Sequence, residues 1–323
     1  MKIIRIEKNS DINDLADDKL FSCGSVTTLG FFDGMHLAHR ALIKEAKSVA
    51  KEQNLPVVVF TFSGNGNLIK SSSARLFTDE ERLALIEKCD VDYTVIADFS
   101  VMKDMSAEDF VTEFLVGALN TQVGVCGFNF RFGKNAQSTS KTLSELMQKE
   151  GRRAVILDEY LYNGKTLSST YIRELISENN LSEAGKLLGI PYFISGKVEH
   201  GMGLGRKLGI PTVNTDIPQG KLVPTFGVYL TALNLDGKIY KALTNVGSCP
   251  TFSEREAHIE TYILDFNGDL YGKDIKIYFI AFLREEKKFS NEKELLMQIN
   301  IDKNKAFELI GESEWQELGP NLQ

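Results

Sequence analysis

The spacing of hydrophobic residues changes near residue 190. Before about residue 188, short apolar runs alternate with segments whose apolar residues recur every three or four positions. The runs that predict strands are SVTTLG, PVVVFTF, YTVIADF, QVGVCGF and RAVILDE. The helices between them are predicted to begin near Leu37, Asp79, Ala107 and Thr139. Strands that alternate with helices and are apolar throughout predict an α/β domain over residues 1–188, with a doubly wound parallel sheet.

The second half lacks this alternation. Its strand-like runs are FISGKVEH, GVYLTALNL, KIYKALTNVG, HIETYILDF and DIKIYFIAFL. Two of them lead into the tight turns LDGK and FNGDLYG. This pattern predicts an antiparallel barrel or sandwich over residues 189–323. A closing helix is expected after Ser290, a candidate N-cap with Glu292 and Glu294 in the first turn.

Composition is typical of a globular protein with two domains. The chain has 323 residues, of which 43% are hydrophobic and 25% are charged. A net charge of −7 argues against a general nucleic-acid or anionic-membrane surface. No apolar run approaches the roughly 20 residues of a membrane span, and the charged N-terminus differs from a signal peptide. The four cysteines form no CxxC pair, which is typical of reduced thiols. We therefore expect a cytoplasmic protein without nucleic-acid or membrane partners, and a homo-oligomer stays open.

Two of the four histidines lie in one turn after the first of these strands. In GFFDGMHLAH, the spacing of His36 and His39 places both on one side of a helix start. Helix N-termini at the carboxyl edge of such a sheet bind phosphates. Gly30 and Gly34 allow a ligand to approach the backbone, and Asp33 is a candidate cap of this helix. The two imidazoles could hold and protonate phosphate oxygens. The alternatives are histidines on a helix surface and a zinc site, for which no third ligand is evident.

A second candidate phosphate clamp is LSSTYIRELI. Ser169, Thr170 and Arg173 are predicted at a helix start directly after the last strand of the sheet. An ordinary N-cap followed by a surface arginine is the alternative. Since both clamps are expected at the same sheet edge, together they predict a nucleotide site.

A third candidate site lies in KVEHGMGLGRKLGIPTVNTD. Its glycine-rich run contains Gly201, Gly203 and Gly205 and is followed by Arg206 and Lys207. A flexible turn would have a similar composition. Thr212 and Asn214 lie two apart on an extended segment, so their side chains share a face. Their neutral oxygens suit Mg²⁺, which bridges ATP phosphates in kinases.

Further along, strand alternation groups Glu260 with Tyr262 and Leu264. A carboxylate among such neighbours is either an accident of an edge strand or a functional group. His200 and His258 match no catalytic pattern and are interpreted as structural or loop residues.

These motifs resemble those of the bacterial bifunctional riboflavin kinase/FAD synthetase family. GFFDGMHLAHRALI and SSTYIREL are similar to the signatures of its adenylyltransferase half, which belongs to the HxGH nucleotidyltransferases. GFNFRFGKN resembles its flavin-contacting motif, and GRKLGIPTVN resembles the riboflavin kinase signature. The resemblance covers nearly the whole chain in the family's order.

The resemblance implies a Rossmann-like first domain, a C-terminal antiparallel β-barrel with a terminal helix, and both activities. Its implied substrates are riboflavin, FMN and ATP, with Mg²⁺ held by Thr212 and Asn214. It implies a base role for Glu260 and charge stabilisation by His36, His39 and Arg173. Flavin contacts are implied for Asn129 and Arg75. The implied ATP contacts are Gly30, Phe31, Asp33, Ser169, Thr170, Gly203, Gly205, Arg206 and Lys207.

The chain departs from the family pattern in its first half. The segment TFSGNGNLIKSSSARLF lacks the family's Pro-His-Pro element, and Ala38 replaces the glycine of HxGH. If one activity were lost or narrowed, we would expect it to be adenylylation. Three alternatives follow: a relative with a single activity, a flavin- or nucleotide-binding regulator without turnover, and an adenylyltransferase for another phosphorylated substrate.

Overall fold

The computed structural model describes residues 1–7, 20–64, 74–200, 209–248 and 257–310, and the single residues 205, 315 and 322. The chain forms two compact units, Met1–Ser169 and Thr170–Gln323. Residues 170–188 belong to the second unit in this division. The functional boundary between residues 188 and 189 stays a prediction.

A parallel sheet forms the centre of the first unit. The strands of this unit are β1 (Lys2–Ile6), β2 (Ser25–Leu29), β3 (Val57–Phe62), β4 (Tyr93–Ala97), β5 (Thr121–Gly127), β6 (Arg131–Phe132), β7 (Ser138–Thr139), β8 (Arg153–Leu157), β9 (Leu161–Tyr162) and β10 (Lys165–Thr166). Six of them pair in the order β1-β4-β3-β2-β5-β8, with every pair parallel. The pairs β6–β7 and β9–β10 are antiparallel. The predicted parallel sheet is confirmed, and β1 is an additional edge strand.

Helices connect the strands of the sheet. They are α1 (Leu37–Gln53), α2 (Asp79–Glu87), α3 (Phe99–Met102), α4 (Ala107–Asp109), which continues into the π-helical segment Phe110–Ala118, and α5 (Ser140–Lys149). The predicted starts at Leu37, Asp79 and Ala107 are confirmed, and Thr139 is the N-cap of α5. A reciprocal capping box between Thr78 and Glu81 fixes the start of α2.

The central strand β2 is buried along its whole length. All five residues of β2 are buried, as expected for a strand that is covered on both faces. Two of its polar side chains find partners within the sheet: Ser25 Oγ lies 3.2 Å from Thr27 Oγ1, which lies 2.8 Å from Thr121 Oγ1. This chain of hydroxyls joins β2 to β5, so the carboxyl ends of these two strands lie side by side.

The second unit is a closed antiparallel barrel with helices. Its elements are α6 (Ser169–Ser177), α7 (Leu181–Leu188), β11 (Phe193–Glu199), β12 (Thr212–Thr215), β13 (Gly227–Leu235), β14 (Lys238–Ser248), β15 (Ala257–Ile263), β16 (Asp274–Arg284) and α8 (Glu292–Leu309). The strands close in the order β11-β12-β15-β14-β13-β16. Closure pairs both edges of every strand, so the barrel and not the sandwich is confirmed.

A ladder of threonines inside the barrel determines which face of β15 is buried. Thr231, Thr244 and Thr261 are each 0% exposed. Thr244 Oγ1 lies 2.7 Å from Thr231 Oγ1 and 2.9 Å from Thr261 Oγ1. Because neighbouring residues of a strand point to opposite faces, Glu260 is on the outside of the barrel.

The closing helix α8 is confirmed, but its N-cap is Asn291 and not Ser290. Asn291 Oδ1 accepts a hydrogen bond of 3.0 Å from the backbone N–H of Glu294. The Ser290 backbone N–H donates to the Glu294 carboxylate at 3.1 Å. The capping pattern is therefore shifted by one residue. Within the described ranges, no helix has both the length and the apolar character that a membrane crossing requires.

Candidate functional site

His36 and His39 form a stacked pair at the start of α1. Their ring centroids are 3.7 Å apart, with 17° between the ring planes. His36 is the N-cap residue and is 3% exposed. The edge of the buried Phe32 ring contacts His39, with a centroid distance of 5.3 Å. As the spacing predicts, the two imidazoles lie on one side of the first turn.

Burial keeps this pair neutral near pH 7. It lowers the pKa of His36 from 6.5 to about 4. Burial also lowers the pKa of His39 well below its usual value, and positive charge on His36 and Arg82 adds to this effect. The Nδ1 atoms of both rings have no hydrogen-bond partner among the residues that the structure describes. The pair is therefore suited to donating N–H hydrogen bonds to an anion, and the predicted protonation of phosphate oxygens stays a prediction.

The loop before α1 has an unusual backbone conformation that hydrogen bonds hold in place. Phe32 and Met35 adopt positive φ angles of 54° and 45°, which cost energy for residues with side chains. Asp33 does not cap α1, contrary to the sequence prediction. Its carboxylate instead accepts hydrogen bonds from the backbone N–H groups of Leu76 and Phe77, at 3.1 and 3.4 Å. This connection holds the loop against the chain segment that precedes α2.

Ser169, the last residue of the first unit, contacts this loop. Its Oγ donates a 2.6 Å hydrogen bond to the backbone carbonyl of Asp33. The start of α6 does not follow the last sheet strand directly, because the β9–β10 hairpin intervenes. Thr170 and Arg173 follow on α6, with Arg173 about one turn after Ser169.

The two predicted flavin contacts have different surroundings. Asn129 is exposed in the turn after β5, the strand that pairs with β2. Arg75 is largely buried, and its Nη1 lies 3.5 Å from the Asp79 carboxylate. Most of the divergent loop between β3 and α2, residues 65–73, lies outside the described residues.

The sequence analysis missed Arg82. This residue of α2 is 2% exposed and donates hydrogen bonds to Thr61 and Asp79 and to the carbonyls of Phe31 and Phe62. Its position among apolar residues of a helix is a weak sequence signal. Only the fold shows that its partners belong to the histidine loop and to β3.

The barrel brings together Thr212, Asn214 and Glu260. Asn214 on β12 is directly opposite Glu260 on β15. Thr212 Oγ1 donates a 2.5 Å hydrogen bond to Glu260 Oε1. All three side chains are half-buried on the outer face. A carboxylate oriented by a hydroxyl, beside two neutral oxygens, is suited to proton transfer next to a phosphate-bound cation.

Two more polar residues extend this row. His258 Nε2 lies 2.7 Å from Asn214 Oδ1. His258 was interpreted from the sequence as a structural or loop residue, but it contacts a residue of the candidate site. Asn245 on β14 is directly opposite Glu260 on its other side, and its Nδ2 donates to Glu286 at 3.3 Å. Both neighbours depend on strand register, which no local motif reveals.

Only part of the glycine-rich run can be placed. Gly203, Arg206 and Lys207 lie outside the described residues. At Gly205, a Cβ atom would clash with the Ile210 carbonyl oxygen and would lie 3.0 Å from Thr212 Oγ1. Glycine is therefore required at this position by the close approach of the backbone to Thr212.

Comparison with known proteins assigns each half of the chain to a family. A model of the FAD synthetase family matches residues 18–171, and a model of the riboflavin kinase family matches residues 188–310. Bifunctional riboflavin kinase/FMN adenylyltransferases of Bacillus subtilis and Escherichia coli K12 are 35% and 32% identical to the chain. These alignments cover 87% and 89% of this chain and 91% and 93% of those proteins. The chain belongs to the bifunctional riboflavin kinase/FMN adenylyltransferase family.

A solved structure has the same fold over most of the chain. It is the crystal structure of a protein described as a macrolide-efflux protein from Streptococcus pneumoniae. The TM-score is 0.81 at 30% sequence identity, and the match covers 93% of this chain and 98% of that one. The family resemblance, the fold class and the two activities predicted from the sequence are confirmed by these comparisons and by the fold.

The buried histidine pair predicts a specific loss of stability in acid. The folded pKa of His36, about 4, lies below the unfolded value of 6.5, so the unfolded chain binds the proton more readily. This contribution to stability is complete above about pH 6.5 and is lost as the pH falls toward 4. Its full size is about 3 kcal/mol. Between about pH 7 and 4.5, the unfolding free energy should fall by about 2–3 kcal/mol less in His36→Asn than in the wild type.

The measurement is urea unfolding followed by far-UV circular dichroism at several pH values. His200→Asn is the matched control, since His200 is exposed and lies outside the pair. Parallel pH profiles for His36→Asn and the wild type would contradict the burial of a neutral imidazole at this position.

Proposed function

We propose that the two sites catalyse successive steps of flavin nucleotide synthesis. The barrel transfers the γ-phosphoryl group of ATP to the ribityl 5′-hydroxyl of riboflavin, which gives FMN and ADP. The first unit then joins FMN to the AMP part of a second ATP, which gives FAD and pyrophosphate. The observation that carries the proposal is the row of Thr212, Asn214 and Glu260 on the barrel. This row has the groups that a kinase requires, and it is separate in the sequence from the histidine pair, so the chain has two candidate sites.

In the kinase step, Glu260 acts as the base. A ribityl hydroxyl is a poor nucleophile at neutral pH and must lose its proton as its oxygen bonds to the γ-phosphorus. The Glu260 carboxylate accepts that proton while the bond from the γ-phosphorus to the ADP oxygen breaks. The hydrogen bond from Thr212 to Glu260 Oε1 orients this carboxylate, and we assign the proton acceptance to Oε2.

The residues at this site also fit a magnesium ion. Thr212 and Asn214 offer hard, uncharged oxygens on one face, and Mg²⁺ in kinase sites takes few protein ligands because phosphates supply others. When bound there, the ion would neutralise charge on the ATP phosphates. Asn214 would orient its oxygen toward the ion with the help of His258.

In the adenylylation step, a phosphate oxygen of FMN attacks the α-phosphorus of ATP and pyrophosphate leaves. Negative charge grows on the α-phosphate oxygens, and donors aimed at that charge lower the barrier. The neutral His36 and His39 supply N–H groups, and the N-terminus of α1 supplies its partial positive charge.

The remaining ligand contacts of the adenylylation site come from the start of α6, from the turn after β5 and from the segment before α2. We assign ATP contacts to Ser169, Thr170 and Arg173 at the start of α6 and flavin contacts to Asn129 and Arg75. The hydrogen bond from Ser169 to the Asp33 carbonyl supports the assignment of Ser169, because it joins this residue to the loop that carries His36.

The family's bifunctional relatives favour two activities over a single-activity relative or a regulator without turnover. The Asp33 contacts to Leu76 and Phe77 offer one way in which this chain holds its loop without the Pro-His-Pro element. The cytoplasmic location stays a prediction, and a homo-oligomeric state stays open.

Glu260→Gln should abolish most riboflavin phosphorylation. Glutamine retains the shape and one acceptor oxygen but is not a comparable base, so kcat should fall by about 10²–10⁴. Riboflavin and ATP binding should change little. The measurement is riboflavin phosphorylation and FMN adenylylation on one preparation of the variant. Adenylylation serves as the internal control and should match the wild type, whereas kinase turnover within a few-fold of wild type would exclude Glu260 as the base.

His36→Ala should have the opposite selectivity. Loss of one donor to the transition-state charge should lower FAD formation from supplied FMN by about 10²–10³. FMN should then accumulate when riboflavin is the substrate, because the barrel retains its groups. His200→Ala is the control and should leave FAD formation unchanged. FAD formation at the wild-type rate in His36→Ala would contradict the role of the histidine pair.

A further inference from the structure

Arg82 connects the histidine loop to the neighbouring strand of the sheet. Its Nη1 donates to the Phe31 carbonyl, which follows β2, and its Nη2 donates to the Phe62 carbonyl at the end of β3. The same guanidinium donates to Thr61 Oγ1 at 3.2 Å. One planar group therefore joins the carboxyl ends of two parallel strands, at the edge where α1 begins.

The Phe31 carbonyl accepts two hydrogen bonds that hold the start of the loop. It accepts from Arg82 and also from Thr61 Oγ1, at 3.0 Å. It is followed by a run of four residues, Phe32–Met35, in which Phe32, Gly34 and Met35 adopt positive φ angles just before His36. Such a backbone persists only where surrounding contacts determine it. The two hydrogen bonds to the Phe31 carbonyl fix the peptide plane from which this run starts.

Buried charge makes this arrangement specific to arginine. Arg82 is 2% exposed, and its charge is paired with Asp79 through a 2.9 Å bond from Nη2 to Oδ1. Both Asp79 carboxylate oxygens also accept from the Gly64 backbone N–H, at 3.0 and 2.9 Å. The guanidinium carbon lies 4.8 Å from the centroid of the Phe31 ring. A lysine would retain the charge but could not bond two carbonyls and a carboxylate in one plane.

We propose that Arg82 is a positioning residue for FMN adenylylation, holding the Phe31–Met35 loop so that His36 and His39 face the reacting phosphates. The inference rests on the proposed function of the first unit. Arg82 contacts no substrate, since it is buried, and acts through the backbone of the loop. Its loss should lower kcat for adenylylation more than it raises KM, because the histidines act on charge that grows in the transition state.

The test compares Arg82→Lys, Arg82→Met and Arg152→Met with the wild type. Arg152 is the matched control: a largely buried arginine of the same unit that bonds Asn120 and Gln122 at the amino end of β5. We expect kcat for FAD formation from FMN to fall by about tenfold in Arg82→Lys and about 100-fold in Arg82→Met. KM for FMN should stay within about threefold in both, and riboflavin phosphorylation should be unchanged.

A pH profile of adenylylation separates positioning from a general loss of stability. The charged and titratable groups around the pair are His36, His39, Arg82, Asp33, Asp79 and Arg75. Removing the Arg82 charge raises the pKa of His39, so the acid limb should move to higher pH in Arg82→Met. Arg82→Lys should retain the wild-type limb, and Arg152→Met should retain both the limb and kcat even if its melting temperature falls.

Adenylylation kcat within about twofold of wild type in both Arg82 variants would overturn the proposal, as would an equal loss in Arg152→Met. If Arg82→Met fails to fold, the kcat of Arg82→Lys alone decides. A wild-type protein that forms no FAD from FMN would instead refute the proposed function on which the inference rests.

Discussion

The alternation of side chains along β15 is the constraint on which the kinase site depends. The hydrogen bond between Thr244 and Thr261 inside the barrel commits every second residue of β15 to the interior. Glu260 is thereby on the outer face, opposite Asn214 and within hydrogen-bond distance of Thr212. A shift of one residue in register would turn this carboxylate into the barrel interior, away from Thr212 and Asn214. Barrel closure makes such a shift costly, because every neighbouring strand would lose its pairing.

The candidate groups of the first unit are buried, whereas those of the barrel are only half-buried. The stacked His36 and His39 are kept neutral by loss of solvent, and their loop is held by hydrogen bonds to backbone groups of distant segments. The two candidate sites therefore differ in their electrostatics. In the proposed mechanism, a half-buried carboxylate removes a proton in one site, and neutral N–H donors stabilise the negative charge that grows in the other.

Local patterns were sufficient for the elements and for part of each site. Apolar runs revealed the central strands, the three-residue spacing placed the two histidines together, and alternation assigned Glu260 to its face. Features set by distant contacts were beyond these patterns. Asp33 looked like a cap but bonds residues more than 40 positions away, and the partners of Arg82 lie up to 51 positions away. The same holds for His258 and Asn245, which reach the kinase row only through strand register.

The central claim is that one chain carries out both transfers in sequence. The most direct measurement incubates the protein with riboflavin, magnesium and ATP labelled in either its γ- or its α-phosphate, and then separates the flavins. The account predicts that γ-label enters both FMN and FAD, whereas α-label enters FAD alone. Absence of γ-label from FMN would contradict the kinase assignment, and FAD without α-label, or no FAD at all, would contradict the adenylyltransferase assignment.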